Sequence, residues 1–118
     1  MQAVKTVRLE SLSELIKREA DRIPSERVYY AMKRMHLKHI LPQTVETMKL
    51  CLAAHKLGFF ITTKLIAELQ NISPITVLSK LHTLGDKKCL TLFRGGSRTA
   101  SRWVVSATFI KHYEETSK

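Results

Sequence analysis

The sequence predicts a mostly α-helical domain carrying one small antiparallel β-hairpin, and three observations predict it. Apolar residues recur at spacings of three and four through most of the chain, which is the helical period. After Gly85 the period changes to two, in Cys89-Leu90-Thr91-Leu92-Phe93 and again in Trp103-Val104-Val105. Between those two runs lies a polar stretch, Arg94 to Arg102, whose Gly95-Gly96 pair suits a hairpin tip. With 118 residues, 44% of them hydrophobic, the chain can bury one real core and has little room for a second domain.

Each element has a local reason. Ser11 followed by Glu14 fits a capping box, so a first helix is expected from about Leu12 to Arg22, stopping before Pro24. Ser25 is placed to cap a second helix, Glu26 to about Ile40. Its apolar residues, Val28, Tyr29, Met32, Met35 and Ile40, cover more than one face and predict two packing neighbours. A third helix is expected from about Thr44 to Leu57, with Val45, Met48, Leu52 and Ala53 inward and Gly58 ending it. Phe59-Phe60-Ile61 is a short β-prone run. Thr62 or Thr63 then caps a fourth helix that reaches Gln70, and Asn71-Ile72 makes a tight turn. Ser73 caps a fifth helix that has Pro74 at its first position, extends to Leu84 and finds Gly85 just past its end. A final helix is expected from about Ala107 to Glu115, with Phe109, Ile110 and Tyr113 on one side.

Charge narrows the class of partner. The formal net charge is +10, and the excess is not spread evenly. Between Arg27 and Arg102 there are 13 basic residues against three acidic ones, Glu46, Glu68 and Asp86, while both ends are balanced. Such a field draws polyanions: nucleic acid, an anionic membrane or an acidic protein. No apolar run approaches the roughly 18–20 residues that span a bilayer, so no membrane association is expected. Met1 to Glu10 lacks the apolar stretch and small-residue cleavage site of a secretory signal. Cys51 and Cys89, 38 residues apart in apolar surroundings, fit reduced buried thiols, and a cytoplasmic location is expected.

The order helix, short strand, helix, tight turn, helix, strand, basic loop, strand resembles the winged helix-turn-helix superfamily, over about residues 42–106. Residues 1–41 would then be N-terminal helices, for dimerisation or core completion, and 107–118 a C-terminal helix. Ile72-Ser73-Pro74-Ile75-Thr76-Val77-Leu78-Ser79-Lys80-Leu81-His82-Thr83-Leu84 is similar to the recognition helices of MarR-like and ArsR-like regulators, in which a capping Ser precedes a Thr-Val pair and two inward leucines. The resemblance implies double-stranded DNA as the partner, with the hairpin as a wing that carries Arg98 into the minor groove or onto its phosphates.

The residues themselves support a binding surface. Val77, Leu81 and Leu84 recur at helical spacing and should face the core, at about 1.5–3 kcal/mol per fully buried aliphatic side chain. That orientation turns Ile75, Thr76, Ser79, Lys80 and Thr83 outward or to the border, short side chains that could reach base edges and phosphates in a major groove. The helix start at Ser73 favours a nearby phosphate. Arg94, Ser97, Arg98 and Arg102 supply the loop contact, and Lys64, opening the fourth helix, a backbone contact. Lys87-Lys88 is expected to be solvated.

Nothing in the sequence points to catalysis, a cofactor or a metal. There is no phosphate-binding glycine loop, Ser-centred elbow, zinc-binding His-Glu helix or carboxylate cluster. His36 and His39 would share a helix face without a nearby third ligand, and Cys51 and Cys89 lack the close spacing of a metal-sensing pair. Tyr29, Tyr30, Met32, Leu37, Phe109, Ile110 and Tyr113 offer apolar surface for a homodimer, which would place two recognition helices about 34 Å apart on DNA. The expected function is sequence-specific DNA binding as a transcriptional repressor or regulator. A plasmid or phage partition, replication-origin or nucleoid-type protein is the alternative within DNA binding, and a protein-interaction module the alternative outside it.

Overall fold

The computed structural model describes the backbone of residues 2–94 and 101–116, and the side chains in those ranges from Leu12 onward. The described chain runs α1 (Gln2–Asp21), α2 (Ser25–Arg34), α3 (Pro42–Lys56), α4 (Thr63–Gln70), α5 (Pro74–Asp86), β1 (Leu90–Phe93), β2 (Arg102–Val105) and α6 (Ala107–Glu115). The fold is therefore mostly helical with one two-stranded antiparallel sheet, as expected. Among the described residues no helix is long and apolar enough to cross a membrane.

α3 is the axis of the molecule. From Val45 to Ala54 every residue except Glu46 is buried, so this helix needs neighbours all round. α1, α2, α4, α5 and β2 supply them. Its two buried polar residues are both partnered. Thr47 Oγ1 donates to the Gln43 carbonyl at 3.0 Å and lies 2.6 Å from Gln70 Oε1. Lys49 Nζ donates to Ser25 Oγ at 3.1 Å and lies 3.8 Å from Glu46. These bonds fix α3 against the ends of α2 and α4.

The helix ends follow local chemistry in the second half of the chain. Gly58, at φ 82°, closes α3 in the left-handed region that suits glycine. Thr62 caps α4 by accepting from the Leu65 N–H at 3.1 Å, and Asn71, at φ 57°, ends it. Ser73 caps α5 by accepting from the Ile75 N–H at 3.2 Å, with Pro74 at the first position. Ser106 caps α6 by accepting from the Phe109 N–H at 3.1 Å.

Four boundaries differ from expectation. α1 begins at Gln2 and runs through Ser11, so the Ser11–Glu14 pattern is not a helix start. The pattern is local, and residues 2–10 contain neither proline nor glycine to stop a helix from passing through it. Ser25 is the first residue of α2 rather than its cap. Pro24 holds the cap position, and the Ser25 hydroxyl serves Lys49 instead. α2 stops at Arg34, six residues before Ile40; His36 and His39 lie beyond it, both with left-handed backbone (φ 69° and 53°). They do not share a helix face. Finally, α5 passes through Gly85 to Asp86. A Cβ at Gly85 would stand 2.8 Å from Trp103 Cζ3, so this glycine lets the hairpin pack onto the helix rather than ending it.

The hairpin pairs Leu90 with Val105, Thr91 with Val104, Leu92 with Trp103 and Phe93 with Arg102. Ile61 adds a single antiparallel bridge on the other edge of β2, where the Trp103 N–H donates to the Ile61 carbonyl at 2.7 Å. One continuous core extends from Ile16 of α1 to Tyr113 of α6. Met32, Leu37, Phe109 and Tyr113, expected on a dimer surface, lie inside it. Arg27 locks α6 to α2, its Nε donating to the Tyr113 carbonyl at 3.0 Å and its guanidinium stacking 3.9 Å from the Tyr113 ring centre. Within the chain, the flanking helices complete the core. The apolar surface first assigned to pairing is reduced to Tyr30 and the partly buried Tyr29 and Ile110.

Candidate functional site

The site begins with the inward face of α5. Val77, Leu81 and Leu84 have no exposed surface. Because residues three, four and seven apart share a helix face, their burial determines where the rest of the helix points. Ser73, Ile75, Thr76, Ser79 and Thr83 are all exposed and Lys80 is half-buried. Ile75, with 81% of its surface exposed, stands out at the start of the helix, and Leu78 is exposed beside it. The Thr83 hydroxyl donates to the Ser79 carbonyl at 3.0 Å, which leaves it an acceptor for a ligand but removes its donor. Lys64 is exposed on the first turn of α4.

The hairpin approaches α5 from its C-terminal half. His82 meets Trp103 edge to face, ring centres 5.1 Å apart. A cleft of about 300 Å³ runs between helix and sheet, lined by His82, Asp86, Lys88, Thr91 and Arg94 among others. Arg94 thus borders the same cleft as α5. Arg102 does not. The sheet alternates, with Leu90, Leu92, Trp103 and Val105 on the α5 side and Thr91, Phe93, Arg102 and Val104 on the outer side, a pattern that follows from the period of two. Arg102 therefore lies on the outer face, its guanidinium 4.5 Å from the Phe60 ring centre. Arg94 and Arg102 are therefore not equivalent: Arg94 borders both the α5 cleft and the outer face, and Arg102 only the outer face. Ser97 and Arg98 lie outside the described residues.

The ion pairs seen among the described residues all lie in one half of the molecule. Glu19, Glu46 and Glu115 form ion pairs with Arg22 and Lys56, with Lys49, and with Arg34, all on α1, α2, α3, α6 or the turn after α1. Among the described residues no ion pair involves Lys64, Lys80, Lys87, Lys88, Arg94 or Arg102. Those six cations lie on α4, α5 and the hairpin or at the seam joining them.

Sequence reasoning missed three contributors: Phe60, His82 and Lys88. Phe60 carried a usable signal, since in an alternating run it must point opposite to the buried Ile61. Lys88 was expected to be merely solvated, but it lines the α5–hairpin cleft. Its position comes from a left-handed backbone, φ 66°, at the helix–strand seam, which no pattern announced.

Both cysteines are free and buried. Burial pushes the Cys89 thiol up to about 12 and also raises the Cys51 thiol, which keeps both protonated and unreactive. Burial raises the Tyr113 phenol as well, against the opposing pull of Arg27 and with a smaller push from Glu19.

Comparison with protein-family models, with curated proteins and with solved structures found no match to this chain.

Proposed function

We propose that this chain binds double-stranded DNA, laying α5 in the major groove and the hairpin on the adjacent backbone, and that it acts as a transcriptional repressor or regulator. The observation that carries the reading is the full burial of Val77, Leu81 and Leu84, which leaves Ile75, Thr76, Ser79, Lys80 and Thr83 outward or at the border of a helix flanked by unpaired cations. A helix of about 10–12 Å diameter fits the major groove. There Ser79 and Thr76 hydrogen-bond base edges or phosphates, and Ile75 packs on a thymine methyl. Lys64, Lys80, Lys88 and Arg94 neutralise phosphates, which sets register without reading sequence.

A salt series tests this. Three to five phosphate contacts per chain predict a slope of log affinity against log salt of about −3 to −5 for one copy and about −5 to −9 for a pair. The slope therefore also counts copies. Arg94→Ala should weaken binding to every duplex and reduce the slope by about one. Ser79→Ala should mainly reduce the preference for a site selected from random DNA over random duplex. Equal losses on both DNAs for Ser79→Ala would refute the assignment of roles.

The exposed pair Ile75 and Leu78 favours one second reading, a protein-interaction module using the same helix. Absence of any duplex binding at low salt would select it. Cooperative spreading over arrayed repeats would instead select a partition, replication-origin or nucleoid role.

A further inference from the structure

The outer face of the hairpin carries a feature that the α5 surface does not use. Phe93 and Phe60 are exposed over 57% and 61% of their surface, unusual for two large apolar rings on one small face. They flank a single cation. Phe93 is the cross-strand partner of Arg102 on one edge of β2, and Phe60 adjoins the bridge residue Ile61 on the other edge. The Arg102 guanidinium lies 4.5 Å from the Phe60 ring centre, and Phe93 is its neighbour across the strand pair. With Arg94 and Val104 they line a cavity of about 470 Å³.

The chemistry of that lining selects its occupant. Among the described residues, its side chains are hydrocarbon rings, one aliphatic group and two cations, with no carboxylate, amide or hydroxyl. They donate hydrogen bonds but accept none. A peptide brings backbone N–H groups that such side chains leave unmet. A strand of nucleic acid brings flat π faces, which stack on phenylalanine and on guanidinium, and phosphates, which need only cations.

We infer that this outer face binds unpaired DNA, with bases stacked on Phe60 and Phe93 and phosphates held by Arg94 and Arg102. The choice of DNA rests on the duplex-binding reading above; the preference for an unpaired strand rests on the two rings. Arg94, which borders both the α5 cleft and this cavity, joins the two surfaces. The described lining offers no group that distinguishes one base from another, so binding should tolerate sequence.

The test uses the full chain and fluorescence anisotropy at low salt, with labelled oligodeoxythymidine of about 12 nucleotides, matching oligouridine, a duplex of equal length and a peptide alternating glutamate and phenylalanine. The oligodeoxythymidine should bind, and Phe60→Ala and Phe93→Ala should each weaken it roughly tenfold. Phe93→Leu, which keeps hydrocarbon and removes the ring, should lose nearly as much. The same variants should leave duplex affinity within about twofold, whereas Lys80→Ala should weaken the duplex and spare the single strand. Buried Trp103 emission reports that each variant is folded. Unchanged single-strand affinity in both alanine variants overturns the inference, as does tighter binding of oligouridine or capture of the peptide in place of the oligonucleotide. Loss of duplex binding alone overturns the α5 reading and leaves the stacking site to stand on its own data.

Discussion

The body formed by α1, α2, α3 and α6 and the surface formed by α4, α5 and the hairpin differ in where ion pairs form among the described residues. In the body, several charged groups are partnered: Arg34 meets Glu115 at 3.1 Å, Lys49 reaches Ser25 and Glu46, and Arg27 grips Tyr113 from two sides. On the other surface no cation forms an ion pair among the described residues, and Ile75, Phe60 and Phe93 face solvent. Both regions share one core, so the difference does not come from folding. It teaches that the second surface is held in place by what lies beneath it and that its outward groups are free for something else.

Truncation beneath and above α5 gives the largest contrast. Leu81→Ala removes a side chain with no exposed surface and should cost about 2–5 kcal/mol in urea unfolding. Ile75→Ala, on the outer side of the same helix, should stay within about 0.5 kcal/mol. A comparable loss at Ile75 would show that the exposed side is structural after all.

Gly85→Ala comes next. The added methyl must displace Trp103, at a cost of about 1–3 kcal/mol and with a shift in indole emission. Unchanged stability would mean that the hairpin sits loosely on α5 and that the cleft between them is not a fixed shape.

The thiols probe both regions at once. Each ionises near 8.5 in the unfolded chain and much higher in the folded one, so above pH 8.5 the unfolded state binds fewer protons than the native state. Stability should therefore fall as pH rises, by up to about 1.4 kcal/mol per pH unit for each thiol, and be unaffected by them below pH 7.5. A thiol reagent should label Cys89, at the root of the hairpin, before Cys51 in the central helix, because the small sheet opens locally more easily. Labelling in the reverse order would contradict the picture of a braced body.

The smallest effect belongs to the body's surface. Glu115→Gln removes the partner of Arg34, but both side chains are about half exposed, and unfolding should change by no more than about 1 kcal/mol. A larger loss would show that ion pairs, rather than the shared core, hold α6 in place.

The second half of the chain was more legible than the first. Thr62, Ser73 and Gly58 announce their helix ends because capping is settled between neighbours, and the inward face of α5 follows from three residues. The course of α1 through Ser11 and the early end of α2 depend on tertiary packing. Leu37 and Ile40 reach the core from a turn, which a helical pattern cannot distinguish from another turn of helix. Gly85 looked like punctuation; its true constraint is an indole contributed from 18 residues further along. For the site, the residues of α5 were legible from spacing, whereas the position of Arg94 between two surfaces, with Arg102 on only one of them, emerged only once strand and loop boundaries were known.

Ser106 ties three structural pieces through one residue. Its hydroxyl caps α6 and donates to the Lys88 carbonyl at 2.6 Å, while its own N–H donates to the Cys89 carbonyl at 3.0 Å. The hairpin is thus clamped at its root, to the start of the helix that follows it. A strand pair anchored at its root does not depend on the loop that joins it, so changes of loop length beyond Arg94 should leave Leu90–Phe93 and Arg102–Val105 seated on α5.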